Sequence, residues 1–178
     1  TAAGNGSEER TLTDLGLRPE DLTWHPKAGL LAFTADAEWR DERSYADRDL
    51  WTVTVEGKVT RLTEDGYTHD DLAFSPDGRF LSYTRGLGTD MIIEEKRNHG
   101  GPNDLYILPV GVEANGNGTE PINLTPAWDL EPQGVRWSPD SRYLYFTAGI
   151  GGATHLFRVA ASGGEVEQIT KGERRLGG

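Results

Sequence analysis

The chain has 178 residues, 18 Lys and Arg against 29 Asp and Glu, a net charge of −11, no Cys, 23 Gly and 9 Pro. This acidic balance, with a pI near 4.8, excludes a phosphate-neutralising DNA- or RNA-binding module and docking on an anionic membrane. The lack of Cys excludes a disulfide framework, a thiolate metal site and a cysteine nucleophile, and it suits the cytoplasm and the periplasm alike.

Residues 1–10 are rich in Gly, Asn and Glu and read as a flexible N-terminus without the apolar stretch of a signal peptide. No run approaches the roughly 20 apolar residues of a membrane helix. The 35% apolar fraction is low for a chain that fills a core alone.

From residue 11 the chain repeats itself. TLTDLGLRPEDL at 11–22 aligns without gaps with RLTEDGYTHDDL at 61–72. LTWHPKAGLLAFT at 22–34 returns as LAFSPDGRFLSYT at 72–84 and VRWSPDSRYLYFT at 135–147. A second element follows each time: DLWTVTV at 49–55, DLYILPV at 104–110 and HLFRVAA at 155–161. A third closes the unit: RLT at 61–63, NLT at 123–125 and QIT at 168–170. Fixed-period self-similarity signals repeat architecture.

Each unit reads as four short strands. Strand A is Leu22–Trp24, Leu72–Phe74 or Val135–Trp137. Ser75-Pro76-Asp77-Gly78 suits a type I turn, with Pro setting φ and Gly ending the turn. Ser138-Pro139-Asp140-Ser141 has a weaker exit, and His25-Pro26-Lys27-Ala28 is degenerate. Strand B (30–34, 80–84, 143–147) carries few interleaved polar residues, as in a strand covered on both faces. No stretch sustains a 3.6-residue apolar period, so almost no helix is expected.

Four-stranded units covered on both faces predict propeller blades. The fold class is all-β: a partial β-propeller of three four-stranded antiparallel blades (about 22–63, 72–125 and 135–170) plus one extra N-terminal strand. Rings close with about 4–8 blades, so the chain reads as a segment of a longer propeller. Open blade edges then predict self-association. A plain antiparallel sandwich or barrel is the alternative.

Strand alternation puts the B–C and D–A loops on one face. Two B–C loops, Ala35–Arg48 and Arg85–Asn103, are long enough to be functional or merely variable. They supply the candidate substrate- or domain-facing residues Glu38, Trp39, Arg40, Arg43 and Tyr45 in one, and Glu94, Glu95, Arg97 and His99 in the other. Glu94-Glu95 suits capture of a cationic amine such as a peptide N-terminus, or is a solvated acidic patch.

No catalytic residue is assigned. Ala160-Ala161-Ser162-Gly163-Gly164 departs from a G-x-S-x-G elbow and suits a hairpin between strands C and D. The four His show no ligand spacing, so neither a metal nor another cofactor is expected. A carbohydrate-active propeller needs carboxylates on the channel-lining strand A, which offers none over the spans above.

The units W/F-S-P-D-G/S-R-x-L-x-Y/F-T, then D-L-Y, then L-T, resemble the WD40-like repeat of TolB-like proteins and of prolyl oligopeptidase-type serine peptidases. Pro126–Gly134 running into Trp137-Ser138-Pro139-Asp140-Ser141, and Gln168–Leu176, are similar to the N-terminal propeller of acylaminoacyl-peptidase or dipeptidyl-aminopeptidase-like S9 peptidases. The resemblance implies a C-terminal α/β-hydrolase domain as partner and short peptides as substrates. In the dipeptidyl branch it implies a Glu pair that holds the substrate amine, matched by Glu94-Glu95 in residue type only.

Overall fold

The computed structural model describes residues 11, 14, 16–38, 47–93, 95–96, 103–110 and 120–172. Twelve strands and one helical turn are described. Sheet 1 is β1 (Arg18–Trp24), β2 (Leu30–Asp36), β3 (Asp49–Thr54) and β4 (Val59–Arg61). Sheet 2 is β5 (Tyr67–Phe74), β6 (Phe80–Leu87), β7 (Asp104–Pro109) and β8 (Ile122–Asn123), with α1 (Thr89–Ile93) between β6 and β7. Sheet 3 is β9 (Gln133–Trp137), β10 (Tyr143–Ile150), β11 (Ala153–Ala160) and β12 (Glu167–Gln168). Each is an antiparallel meander in chain order, and the three sheets form an open array. No described helix is long and apolar enough to cross a membrane.

The repeated sequence makes repeated local structure. In the second unit Ser75 Oγ donates to Asp77 Oδ1 at 2.6 Å and accepts the Phe80 N–H at 3.0 Å. Gly78 N–H closes the turn on Ser75 O at 2.8 Å, and Arg79 Nε binds Asp77 Oδ2 at 2.7 Å. Ser138, Asp140, Ser141 and Arg142 rebuild the same turn, with Ser141 taking the left-handed φ of 59° in place of glycine. In the first unit an imidazole replaces the serine. His25 Nδ1 accepts the Lys27 and Ala28 N–H groups at 3.1 and 2.9 Å. Its Nε2–H reaches Gly78 O of the next sheet at 2.9 Å.

The closing Thr also has a fixed task. Thr63, Thr125 and Thr170 Oγ1 each accept a strand C N–H, from Leu50, Leu105 and Leu156, all at 2.9 Å. Thr63 and Thr125 donate onward to Asp49 and Asp104. The D-L-x…L-T pattern is therefore a clasp between strands C and D.

Strand A starts earlier than its apolar residues suggest. It runs from Arg18, Tyr67 and Gln133, taking in residues read above as D–A loop. Its register breaks between Glu20 and Thr23 in β1 and between Asp70 and Ala73 in β5. At these bulges Asp21 and Asp71 adopt φ of 47° and 57°, and Gly134 takes 62° in β9. Asp21 Oδ2 accepts the Asp71 N–H at 2.9 Å, and Asp71 Oδ2 accepts the Val135 N–H at 2.8 Å. Each bulge carboxylate thus ties one first strand to the next.

Apolar surface between sheets supplies most of the core, and Leu31, Phe33, Ala35 and Val53 form a further buried cluster on sheet 1 itself. Ala32 of sheet 1 meets Phe74 and Leu81 of sheet 2, while Leu50 meets Tyr83 and Tyr106. Leu105, Ile107 and Leu124 of sheet 2 meet Val135, Leu144, Phe146 and Phe157 in sheet 3. Trp128, in the linker before β9, stands edge-on to Phe146 and Phe157 with centroids 5.3 and 5.2 Å away. Strand β6 is covered on both faces, as expected for a strand between two sheets. Strand β10 alternates: Leu144, Phe146 and Ala148 are buried, while Tyr143, Tyr145 and Thr147 are half-exposed.

Candidate functional site

A cluster of charged residues forms a floor where sheets 1 and 2 meet, beside the described ends of the two long loops. Arg48, just before β3, pairs with Glu20 at 3.3 Å and Asp70 at 2.5 Å. Its carbonyl accepts both the His69 backbone N–H (3.0 Å) and the His69 Nδ1–H (2.8 Å). The fully buried His69 ring therefore turns Nε2 toward Asp65 Oδ2, 3.6 Å away. Arg85 lies between the rings of Tyr67 and Tyr106, 4.3 and 4.1 Å from their centroids. It donates to the Tyr106 hydroxyl at 2.7 Å and sits 3.5 Å from Asp65.

The carboxyls divide by environment. Burial pushes Asp49 above the usual carboxylate range despite its bonds from Arg61 and Thr63. Burial likewise raises Asp70 against the opposing Arg48 charge. For Asp65 burial acts upward too, but His69, the Tyr67 N–H and Arg85 together outweigh it and lower the pKa. Burial raises the Tyr83 hydroxyl as well, which keeps it protonated.

One atom from each of Asp49, Asp65 and His69 lies within 4.8 Å of the other two, a spacing that a metal ion could bridge. The surroundings argue for an internal ion-pair network instead. Asp49 Oδ2 takes two Arg61 nitrogens at 3.0 and 2.5 Å, and Oδ1 takes the Thr63 hydroxyl at 3.0 Å. With Arg85 beside Asp65, two guanidiniums already supply the positive charge that a bound cation would bring.

Of the residues singled out from the sequence, Glu38 and Glu95 are described, and both are exposed. Glu38 N–H donates to Asp36 Oδ1 at 2.7 Å as the chain leaves β2. Trp39, Arg40, Arg43, Tyr45, Glu94, Arg97 and His99 lie outside the described residues, as do residues 1–10. The end of the first loop meets the start of the second. Thr89 N–H, at the head of α1, donates to Asp47 Oδ1 at 2.6 Å. A Cβ on Gly88 would stand 1.9 Å from the Gly66 carbonyl, so only glycine fits there.

Two further readings are settled by position. Ser162 sits in the β11–β12 hairpin, where Gly163 N–H bonds Ala160 O at 2.9 Å and both glycines have positive φ. The statement that strand A offers no carboxylates is corrected, because its longer span brings in Glu20, Asp21, Asp70 and Asp71. All four are engaged. Arg48 pairs with Glu20 and Asp70, and Asp21 and Asp71 tie the sheets together. Of the floor residues, His69 stands in the run His69-Asp70-Asp71, which offers nitrogen and oxygen ligands but reads equally as turn residues, whereas Arg48, Asp65 and Arg85 belong to no motif and meet it only through the fold.

No protein-family model matches the chain. Dipeptidyl-peptidase 5 of Porphyromonas gingivalis is 26% identical over 157 residues, covering 86% of this chain and 21% of the relative. The fold is that of a puromycin-hydrolysing peptidase of Mycobacterium tuberculosis, with TM-score 0.66, 14% identity, and 89% of this chain matched to 23% of that one. It is equally that of TolB from Acinetobacter baumannii, with TM-score 0.60, 18% identity, and 96% matched to 37%. The chain is an all-β, propeller-type protein that resembles the propeller of S9 peptidases. It spans about a fifth of the curated relative's length.

Proposed function

We propose that the chain is a non-catalytic propeller segment of an S9-type serine oligopeptidase, which gates the entry of short peptides and docks on an α/β-hydrolase domain of the same parent. The observation that carries this reading is the match to a dipeptidyl-peptidase along 86% of the chain but only 21% of that relative. The parent's reaction is acyl transfer from peptide to a serine that lies outside this segment. The loop face above the Arg48–His69–Arg85 floor is the peptide-facing wall. In this reading Glu94 and Glu95 take the peptide amine, and the exposure of Glu95 just beyond α1 supports it. Other copies or neighbouring sheets cover the open ends of the array.

The test is fluorophosphonate labelling of the product of the complete gene, with the modified serine mapped by peptide mass. A label outside residues 1–178 supports the reading, and a label on a serine within them overturns it. The second reading is a TolB-like binding or scaffold propeller with no peptidase domain, favoured by the 96% coverage against TolB. Absence of any labelled serine, with further repeats and no G-x-S-x-G elbow in the gene, selects it.

A further inference from the structure

We infer that His25 is an acid-sensitive latch between the Pro turns of sheets 1 and 2, closed by the neutral imidazole and opened by a proton on Nδ1. Both ring nitrogens are in use, each in one role. Nδ1 accepts two backbone N–H groups, from Lys27 at 3.1 Å and Ala28 at 2.9 Å, and only an unprotonated nitrogen can do so. Gly78 O can only accept, so Nε2 carries the hydrogen of the 2.9 Å bond that crosses to sheet 2. The ring is buried, and it stands edge-on to Phe74 with centroids 5.0 Å apart. A Cβ on Gly78 would lie 2.5 Å from Cε1 and 2.7 Å from Nε2 of the ring, so the facing turn is shaped to receive it.

A second ring proton has no acceptor in this setting. On Nδ1 it would point at two N–H donors, and a buried charged donor without an acceptor is costly. The ring therefore leaves the turn, and the bond to Gly78 goes with it. The next turn-to-turn join lacks this sensitivity. It runs from Asp77 N–H to Ser141 Oγ at 3.0 Å, and the acceptors inside those two turns are the Ser75 and Ser138 hydroxyls, which do not titrate. At the first strands the bond from Asp71 N–H to Asp21 is likewise made without the ring. Acid thus opens the join between the first two turns and leaves the first-strand join closed.

The neighbouring charges do not offset the proton. Lys27, in the same turn, is itself cationic and exposed. Asp77, in the facing turn, is committed to the Ser75 hydroxyl and to Arg79. Glu56 and Lys58 belong to the hairpin between β3 and β4, whose Val55 packs on Gly29 and donates its N–H to Gly29 O. The latch is a property of this chain and needs no peptidase domain, so its test is independent of the function proposed above.

The test is nitrogen-15 NMR of the full 178-residue chain, followed from about pH 8 to about pH 5, the span in which imidazoles change charge. At the alkaline end the His25 ring should show Nδ1 unprotonated and Nε2 protonated. On acidification Nδ1 should gain its proton, and the Lys27 and Ala28 amide lines should move in step with it, while the Asp71 amide line stays in place. The double variant His25→Ser, Lys27→Asp rebuilds the Ser-Pro-Asp turn of the other two units. Its urea midpoint should fall less over the same span than that of the unaltered chain, and an equal fall overturns the inference. So does an Nδ1 that is protonated at the alkaline end or still unprotonated at the acid end, or a pair of turn amides that ignore the ring. An Asp71 amide that moves together with them also overturns it, because the sheets are then loosening as a whole.

Discussion

At the scale of single residues, the Pro turns show how a short motif fixes geometry. Ser75 is fully buried, and its hydroxyl is both donor and acceptor. Ser75→Ala leaves the Phe80 N–H without a side-chain partner and should cost about 1–2 kcal/mol in urea unfolding. For Asp77 burial acts upward, but the Ser75 hydroxyl and Arg79 outweigh it and hold the pKa at about 2. For Asp140 the Ser138 hydroxyl and then Arg142 do the same, again to about 2. Both lie below the unfolded value of 3.8, so their contribution is complete above that pH and is lost as pH falls toward 2. The double variant Asp77→Asn, Asp140→Asn should flatten the fall of Tm across this window. Asp49 and Asp70 have raised pKa values and act with the opposite sign, so an unchanged acid limb in the double variant would contradict the assignment. The turn itself was legible from Pro and Gly. The serine–aspartate bond inside it was not, nor was the imidazole that stands in for serine at His25, because neither leaves a periodic trace.

At the scale of elements, strands C and D are joined by side chains as much as by backbone. Thr125 is buried and holds both the Leu105 N–H and Asp104. Thr125→Ala should destabilise by roughly 1–3 kcal/mol. Thr125→Ser, which keeps the hydroxyl, should recover most of that loss, whereas equal losses would mean that the methyl group matters instead. The closing Thr was visible in the sequence as a repeat position. Strand A was half visible, since apolar spacing marks 22–24 and 72–74. The acidic first halves at 18–21 and 67–71 carry no alternation, and a left-handed Asp breaks the period of two. A bulge is invisible to pattern counting unless glycine occupies it, as at Gly134.

At the scale of the whole molecule, the two sides of sheet 3 differ in worth. Leu144 is fully buried against sheet 2, and Leu144→Ala should cost about 2–5 kcal/mol. Tyr145, its neighbour on the opposite face, is half-exposed, and Tyr145→Ala should cost well under half as much in the chain alone. Comparable losses would mean that something covers the outer face. The architecture could be read from the sequence because repetition multiplies a weak signal: three copies of one motif outweigh any single propensity. The charged floor could not be read this way. Arg48, Asp65, His69 and Arg85 come from different repeat positions: pairing of β5 with β6 brings His69 beside Arg85, the approach to β5 adds Asp65, and stacking of sheet 1 on sheet 2 adds Arg48.

The bulge aspartates have a consequence for how such a chain can change over time. They fasten sheet to sheet along the inner edge, from one first strand to the next, and take nothing from the outer hairpins. The chain between β3 and β4 runs from Thr54 to Val59, whereas between β7 and β8 it runs from Pro109 to Ile122, yet the first-strand contacts repeat. Loop closure grows only slowly more costly with length. Sheets fastened at their first strands can gain or lose residues between their third and fourth strands without retuning those joins, so new loops can be tried there while the first strands stay fixed.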